Sequence, residues 1–451
     1  MIHTKAGSVK IIILNVIVFI YIFLIIIYNQ NVRNLSPAIF NIYSIESILI
    51  SIYFLIKKKH ITPSIVIILY TIVSQFGWII VLSILNANNI PEFQFFLERK
   101  MGIYYEYLYK ALFISMTAFI LFIIGDLIFI PKKNNQIYLR NKSLSKNKVL
   151  YKLYLINIYL FGGLLVYYFL KGELSIDMSY GEVKSILSTK TMLNYSKYLF
   201  YISLVGFFIL SSKEQLKKHI IVIGLITYLL LATGNRNDIL YPLAIAVSAR
   251  VLYYYIKSIL IIFIAILVIV VISPIISLTR NSQDKNPISA LVEIRYYDSL
   301  IEMGQQIFPT AIAMKKVKDN GYYKGLTYIM PTTAILSFNT IYSTDRFNDS
   351  EINVTNIIHE EGYRGLGFSM IAEIYLNFGL FGMIVIFPLL GYLSNKYENI
   401  TNTNTFIIYS QIAIMFMILA RNSMQYNIII IIFIVLVQLA ANIITEMKKY
   451  F

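Results

Sequence analysis

Apolar runs of about 20 residues recur from Ile11 to Ile444, each long enough to cross ~30 Å of hydrocarbon at ~1.5 Å per residue. Inside a bilayer every backbone polar group must be satisfied within the protein, so such runs fold as helices packed into a bundle. Charged residues make up 14% of the chain and apolar residues 58%. A soluble domain carries about a quarter charged residues. The absence of cysteine excludes a disulfide framework and a zinc–thiolate site. The sequence therefore reads as an all-α, polytopic integral membrane bundle, and a soluble enzyme and a disordered chain are both excluded.

About twelve spans follow, over 11–29, 37–56, 63–85, 107–130, 150–170, 193–211, 219–233, 239–256, 258–278, 367–394, 404–421 and 425–446. The net charge of +16 belongs to their inner flanks and does not call for a nucleic acid partner. With the N-terminus in the cytoplasm, Lys57 to Lys59, Lys132 to Lys148, Lys213 to Lys218, Arg250 with Lys257, Lys396, and Lys448 with Lys449 all fall inside. The short outer connections carry fewer basic residues, so both termini are expected in the cytoplasm. The heavy use of Tyr, Ile, Asn and Lys reads as the coding bias of an AT-rich gene. The chain divides into spans one to nine (1–278), a large, partly helical external loop (279–364) and spans ten to twelve (365–451). Within the loop, Leu291, Ile294, Leu300, Ile301 and Ile307 follow helical spacing, which predicts an amphipathic helix lying on the bundle. Leu326 to Ser343 reads as re-entrant or interfacial.

Ionisable residues in or beside a membrane are costly unless paired or hydrated, which makes them the first functional candidates. Glu46, Asp126 and Glu373 fall inside expected spans; for Glu46 and Asp126 a polar contact within the bundle or a place at the interface is the favoured reading. Arg236, Arg280, Arg295, Arg364 and Arg421 all fall on the outer face. Arginine matches phosphate oxygens with a planar fork, so these residues together suggest a lipid-linked phosphate or pyrophosphate. A second constellation runs from His359, Glu360 and Glu361 through Gly362, Tyr363, Arg364, Gly365 and Gly367 to Ser369 and Glu373. Ser369 is placed to cap the helix that follows. His359 is the histidine expected outside, and Glu360 and Glu361 are competing bases. No metal site and no Gly-rich nucleotide loop are expected.

The Gly234-Asn235-Arg236 turn, the long external loop, and the Gly365-Leu366-Gly367-Phe368-Ser369 segment running through Glu373 to Gly382 resemble the Wzy-type O-antigen and capsule repeat-unit polymerases. The likeness is strongest over 230–390. It implies a metal-independent membrane glycosyltransferase of the GT-C class, without a cofactor, in the bacterial cytoplasmic membrane. Its substrates would be undecaprenyl-pyrophosphate-linked oligosaccharides on the outer face. The growing glycan would move from its lipid carrier to a hydroxyl of a new lipid-linked unit, and undecaprenyl pyrophosphate would leave. On that chemistry Arg236, Arg280 and Arg364 bind pyrophosphate. His359 takes the base role, with Glu360, Glu361 and Glu373 as alternatives or orienters. Arg295 and Tyr363 bind sugar or phosphate. A chain-length regulator is a partner the resemblance leaves open. The competing readings are an O-antigen ligase and a polysaccharide flippase; a flippase has no need of a large external loop. If the loop selects the substrate, exchanging 279–364 for the loop of a related polymerase changes which repeat unit is polymerised, read as the glycan made in a complemented strain. Unchanged substrate choice in a folded chimera would count against this.

Overall fold

The computed structural model describes residues 2–29, 37–57, 61–85, 105–128, 148–175, 178, 180–254, 297–336, 352–361, 367–424 and 427–450. The elements described there are helices. The first five are α1 (Ile2–Asn29), α2 (Pro37–Lys57), α3 (Pro63–Leu85), α4 (Tyr105–Ile128) and α5 (Lys148–Leu170). After them come the short α6 (Tyr180–Thr189), then α7 (Thr191–Leu210), α8 (Lys213–Ala232) and α9 (Arg236–Tyr254). The loop contributes α10 (Asp298–Met303), a 3-10 turn (Gly304–Gln306), α11 (Ile307–Asn320), α12 (Leu326–Leu336) and α13 (Val354–Glu360). Helices α14 (Met370–Glu398), α15 (Thr403–Leu419) and α16 (Ile428–Tyr450) close the chain.

Among the described residues 8 helices are long and apolar enough to cross a membrane, and shorter apolar stretches lie at Ile11–Ile26 and Thr403–Leu419. Helix α9 is not among them; it carries Arg236, Asp238, Arg250 and an internal Pro242. Its polarity is tolerated because one side is buried in the bundle from Ile239 to Tyr253. Arg250 donates to the carbonyls of Phe208 and Ser211, the latter at 2.8 Å, and so neutralises the open carbonyl end of α7. The expected ninth span lies outside the described residues.

The core has two main halves. One gathers α5, α7, α8, α9, α15 and α16 around Tyr154, Phe161, Phe200, Phe207 and Phe406. The other gathers α1 to α4 with α11 and α14 around Tyr43, Phe54, Phe76, Trp78 and Phe308. The most extensive pairing, α4 with α14, depends on small residues. A Cβ at Gly125 would lie 1.9 Å from the Pro388 carbonyl oxygen, and one at Gly391 would lie 2.1 Å from that of Phe122. At one end of this pair Asp126 forms an ion pair with Lys57, and Asn395 donates to the Asp126 carbonyl at 2.7 Å. Asp126 is therefore a bundle contact, as its position suggested. Glu46 on α2 is fully buried, and among the described residues neither of its carboxylate oxygens has a hydrogen-bond partner.

The loop helix departs from expectation. Its described part, 298–320, does not lie on the bundle but is wedged into it against α3, α4 and α14. Gly77 and Gly304 make this insertion feasible. A Cβ on Gly77 would stand 2.6 Å from the Leu300 carbonyl oxygen, and one on Gly304 would stand 2.1 Å from the Trp78 nitrogen. Ile307, Phe308, Ala311, Ile312 and Ala313 are consequently buried, a wider apolar face than spacing alone indicated. Leu291 and Ile294 lie outside the described residues. The α4–α14 contact makes a direct expectation. Gly125→Ala or Gly391→Ala costs about 1–3 kcal/mol by overpacking, lowering Tm in detergent by several degrees. Gly163→Ala, with nothing within 4 Å of the added carbon, leaves Tm unchanged.

Candidate active site

Arg236 reaches its position through a helix stop. The Thr233-Gly234-Asn235 segment closes α8, with the Gly234 amide donating to Leu231 (3.0 Å) and the Asn235 amide to Leu230 (2.9 Å). Gly234 takes a left-handed φ of 76°, which a residue with a Cβ adopts only with strain. The chain reverses at once, and Arg236 becomes the first residue of α9, at the helix's positive end. Its guanidinium is buried and forms an ion pair with Glu302 of α10. Arg421, in the turn between α15 and α16, approaches the same carboxylate oxygen at 3.8 Å. Tyr70 and Tyr241, whose hydroxyls lie 2.5 Å apart, come within electrostatic reach of Arg421. In the same first turn of α9, Asp238 accepts from the Tyr201 hydroxyl at 2.6 Å and faces Lys197 at 3.7 Å. Two guanidinium groups thus converge on one carboxylate at a helix N-terminus, an arrangement suited to binding an anion.

Glu373 supports this centre from behind. Ser369 caps α14 by accepting from the Ala372 amide at 3.3 Å, as the sequence suggested. One turn on, the buried Glu373 carboxylate accepts from the Thr327 hydroxyl (2.9 Å) and from the Met424 amide (2.7 Å). Asn377 adds a bond to Thr327 at 2.7 Å and receives the Gly325 amide at 2.9 Å. Gly367 presses on the Arg421 carbonyl, where a Cβ would come within 1.9 Å of its oxygen. The start of α14 therefore grips the 421–424 turn at two points and fixes where Arg421 stands.

His359, Glu360 and Glu361 are placed elsewhere. They end α13, which packs through Val354, Ile357 and Ile358 on Ile312 and Ala313 of α11. His359 is exposed. Glu360 pairs with Lys316 (2.8 Å), and Glu361 takes Lys315 on both oxygens (2.9 and 3.0 Å). Partial burial raises the Glu361 carboxyl above its ordinary range. Lys315 follows Glu302 by roughly 13 residues along the α10–α11 rod, about 20 Å at 1.5 Å per residue. The lysine pairs of Glu360 and Glu361 and the arginine pair of Glu302 thus stand on different stretches of the α10–α11 segment. Arg280, Arg295, Tyr363 and Arg364 lie outside the described residues.

A family model described as the O-antigen polysaccharide polymerase Wzy matches residues 11–448. The chain belongs to that family. It is also 26% identical over 359 residues to Protein CapE of Staphylococcus aureus, with 78% of each chain covered. No solved structure matches the chain.

In this Wzy-family chain, Glu302 is the site residue that sequence reasoning missed. It stands in an ordinary helical stretch, Asp298-Ser299-Leu300-Ile301-Glu302-Met303, and no motif marks it. Tyr70 and Tyr241 were hidden by the abundance of tyrosine. Arg421 was expected on one face with Arg236, Arg280, Arg295 and Arg364, but its pairing needs the folded chain. The position of Glu373 carries a test. Glu373→Ala leaves the Met424 amide and Thr327 hydroxyl without their acceptor and costs about 1–3 kcal/mol. Hydrogen exchange should then rise at 421–424 before any other part of α15 or α16. Unchanged exchange there would count against a positioning role.

Proposed function

We propose that this chain polymerises O-antigen or capsular repeat units on the outer face of the cytoplasmic membrane, with both termini in the cytoplasm. The growing glycan passes from undecaprenyl pyrophosphate to a hydroxyl of a second lipid-linked repeat unit, and undecaprenyl pyrophosphate is released. The observation that carries this reading is the convergence of Arg236 and Arg421 at the N-terminus of α9 in a member of a polymerase family. The sugar carbon is already activated by its pyrophosphate. The protein must therefore stabilise negative charge as it develops on the leaving group, and fixed guanidiniums in a poorly hydrated site do this with little reorganisation. Neither a metal nor a nucleotide is needed for that step, consistent with a GT-C-type transferase. Arg280 and Arg364 are assigned to the same pyrophosphate from their sequence positions. Lipid-linked oligosaccharide and membrane lipid are the partners this reading requires.

A glycan ladder from a deletion strain tests it. Wild type restores long chains, whereas Arg236→Ala and Arg421→Ala leave single repeat units, a loss of about 100-fold or more per arginine. Lysine at either position restores little, because an ammonium lacks the planar fork. Full ladders from the lysine variants would argue against bidentate phosphate contact. Loss of even the single unit from the surface on deletion would favour a flippase or a ligase.

A further inference from the structure

A transfer from pyrophosphate to a hydroxyl needs a group that accepts the hydroxyl proton. That group must stand within hydrogen-bond reach of the attacking oxygen. The attacked carbon is bonded to the phosphate, so the acceptor lies beside whatever binds the phosphate. The carboxylates and the histidine of the described site sort sharply on this criterion. His359, Glu360 and Glu361 end or follow α13, beside the C-terminal part of α11, and the two glutamates are engaged by Lys316 and Lys315. Glu373 is buried, with its two oxygens bonded to Thr327 and Met424. Asp238 is held by Tyr201 and Lys197. Glu302 alone of these touches both Arg236 and Arg421. Its side chain is 22% exposed, against 5% for Arg236 and 12% for Arg421, so it is the member of the trio most open to a molecule arriving from outside. It also rides on a rod seated by the backbone contacts of Gly77 and Gly304, which holds it in register with the bundle.

Resting on the polymerase reading, we infer that Glu302 is the general base of the transfer and, before substrate arrives, occupies the seat of the pyrophosphate between Arg236 and Arg421. When the lipid-linked donor enters, its phosphate oxygens take the guanidinium hydrogen bonds and release the carboxylate. An anion arriving beside a carboxylate also favours its protonation. The acceptor hydroxyl then gives its proton to Glu302 while its oxygen forms the new bond to the sugar carbon. The bond from that carbon to the pyrophosphate breaks, and its electron pair leaves on the pyrophosphate oxygen, held by Arg236 and Arg421. Glu302 returns the proton to water when undecaprenyl pyrophosphate departs, and it closes again on the arginines. One residue thus serves as occupant of the empty site and as base in the filled one.

The test uses the full-length protein in lipid nanodiscs and lipid-linked repeat units extracted from a strain lacking the gene. Chain formation and binding of the extracted units are measured separately. Glu302→Gln is expected to bind the units at least as well as wild type but to form chains about 100-fold more slowly or worse. Its residual rate loses the fall toward acid pH that wild type shows. Glu302→Asp, which keeps the charge on a shorter arm, retains that fall with a partial loss of rate. If Glu302→Gln does not fold, Glu302→Ala with added formate replaces it, and recovery of rate on formate is the expected result. Wild-type rate and pH profile in Glu302→Gln, or no recovery on formate in a folded Glu302→Ala, overturns the base assignment. A faster Glu302→Gln overturns it as well, because that is the behaviour of an occupant and nothing more. If wild type itself neither binds nor extends the units, the polymerase reading fails, a result distinct from all of these.

Discussion

The architecture around the site depends on one close approach, the backbone contact of α3 with the loop rod at Gly77 and Gly304. A Cβ at either position would stand closer than 3.0 Å to the backbone of the other segment, so one of the two would have to move. With the rod seated, Phe308 meets Trp78 at a ring separation of 5.9 Å, and Ile307 and Ala311 join the core of α1 to α4 and α14. Packing by small residues is the usual way membrane helices come close, since lipid offers no hydrophobic drive between them. Here it serves a loop segment and not only a spanning helix. A connection that hydropathy places outside the membrane becomes part of the bundle.

The charge trio follows from that seating. Arg236 belongs to the half of the bundle built on α7 and α9, and Glu302 to a rod packed on the half built on α3 and α4. Their ion pair bridges the two halves at the point where the chemistry is proposed. A buried ion pair is a weak source of stability, because the cost of removing both groups from water offsets most of the attraction. Its value is in geometry: it fixes two guanidiniums against one another in the absence of substrate. The grip of Glu373 and Gly367 on the 421–424 turn completes the arrangement.

Much of the fold was legible in the residues, because membrane crossing imposes a length and a hydropathy that sequence displays directly. Span 63–85 coincides with α3, and most others agree within a few residues. The GNR turn was legible for a comparable reason, since a glycine between two apolar runs announces a helix stop. What was hidden depends on contacts between distant segments. Nothing local distinguishes Glu302 from a solvated acid, and its importance comes from Arg236 and Arg421 meeting it in space. His359 stood out as the histidine expected on the outer face, but selection by side and by titration range carries no information about distance. Glu373 stood out as a carboxylate costly to bury, and the partners it finds, Thr327 and a backbone amide, are of kinds that leave no mark in sequence.

Helix α14 is interrupted at Gly379, whose φ of 59° is not helical. At this break the carbonyls of Leu376 and Asn377 accept the amides of Tyr323 and Lys324, each at 3.1 Å. The 321–325 segment is therefore fastened to the bundle through peptide groups, which every residue but proline carries. Its positive-φ positions, Gly321, Lys324 and Gly325, constrain the backbone, while Tyr322 packs on Tyr375 and Tyr323 on the cluster around Ile312. Because the anchoring bonds are made by peptide groups, a change of side chain at Lys324 leaves both amide–carbonyl bonds available.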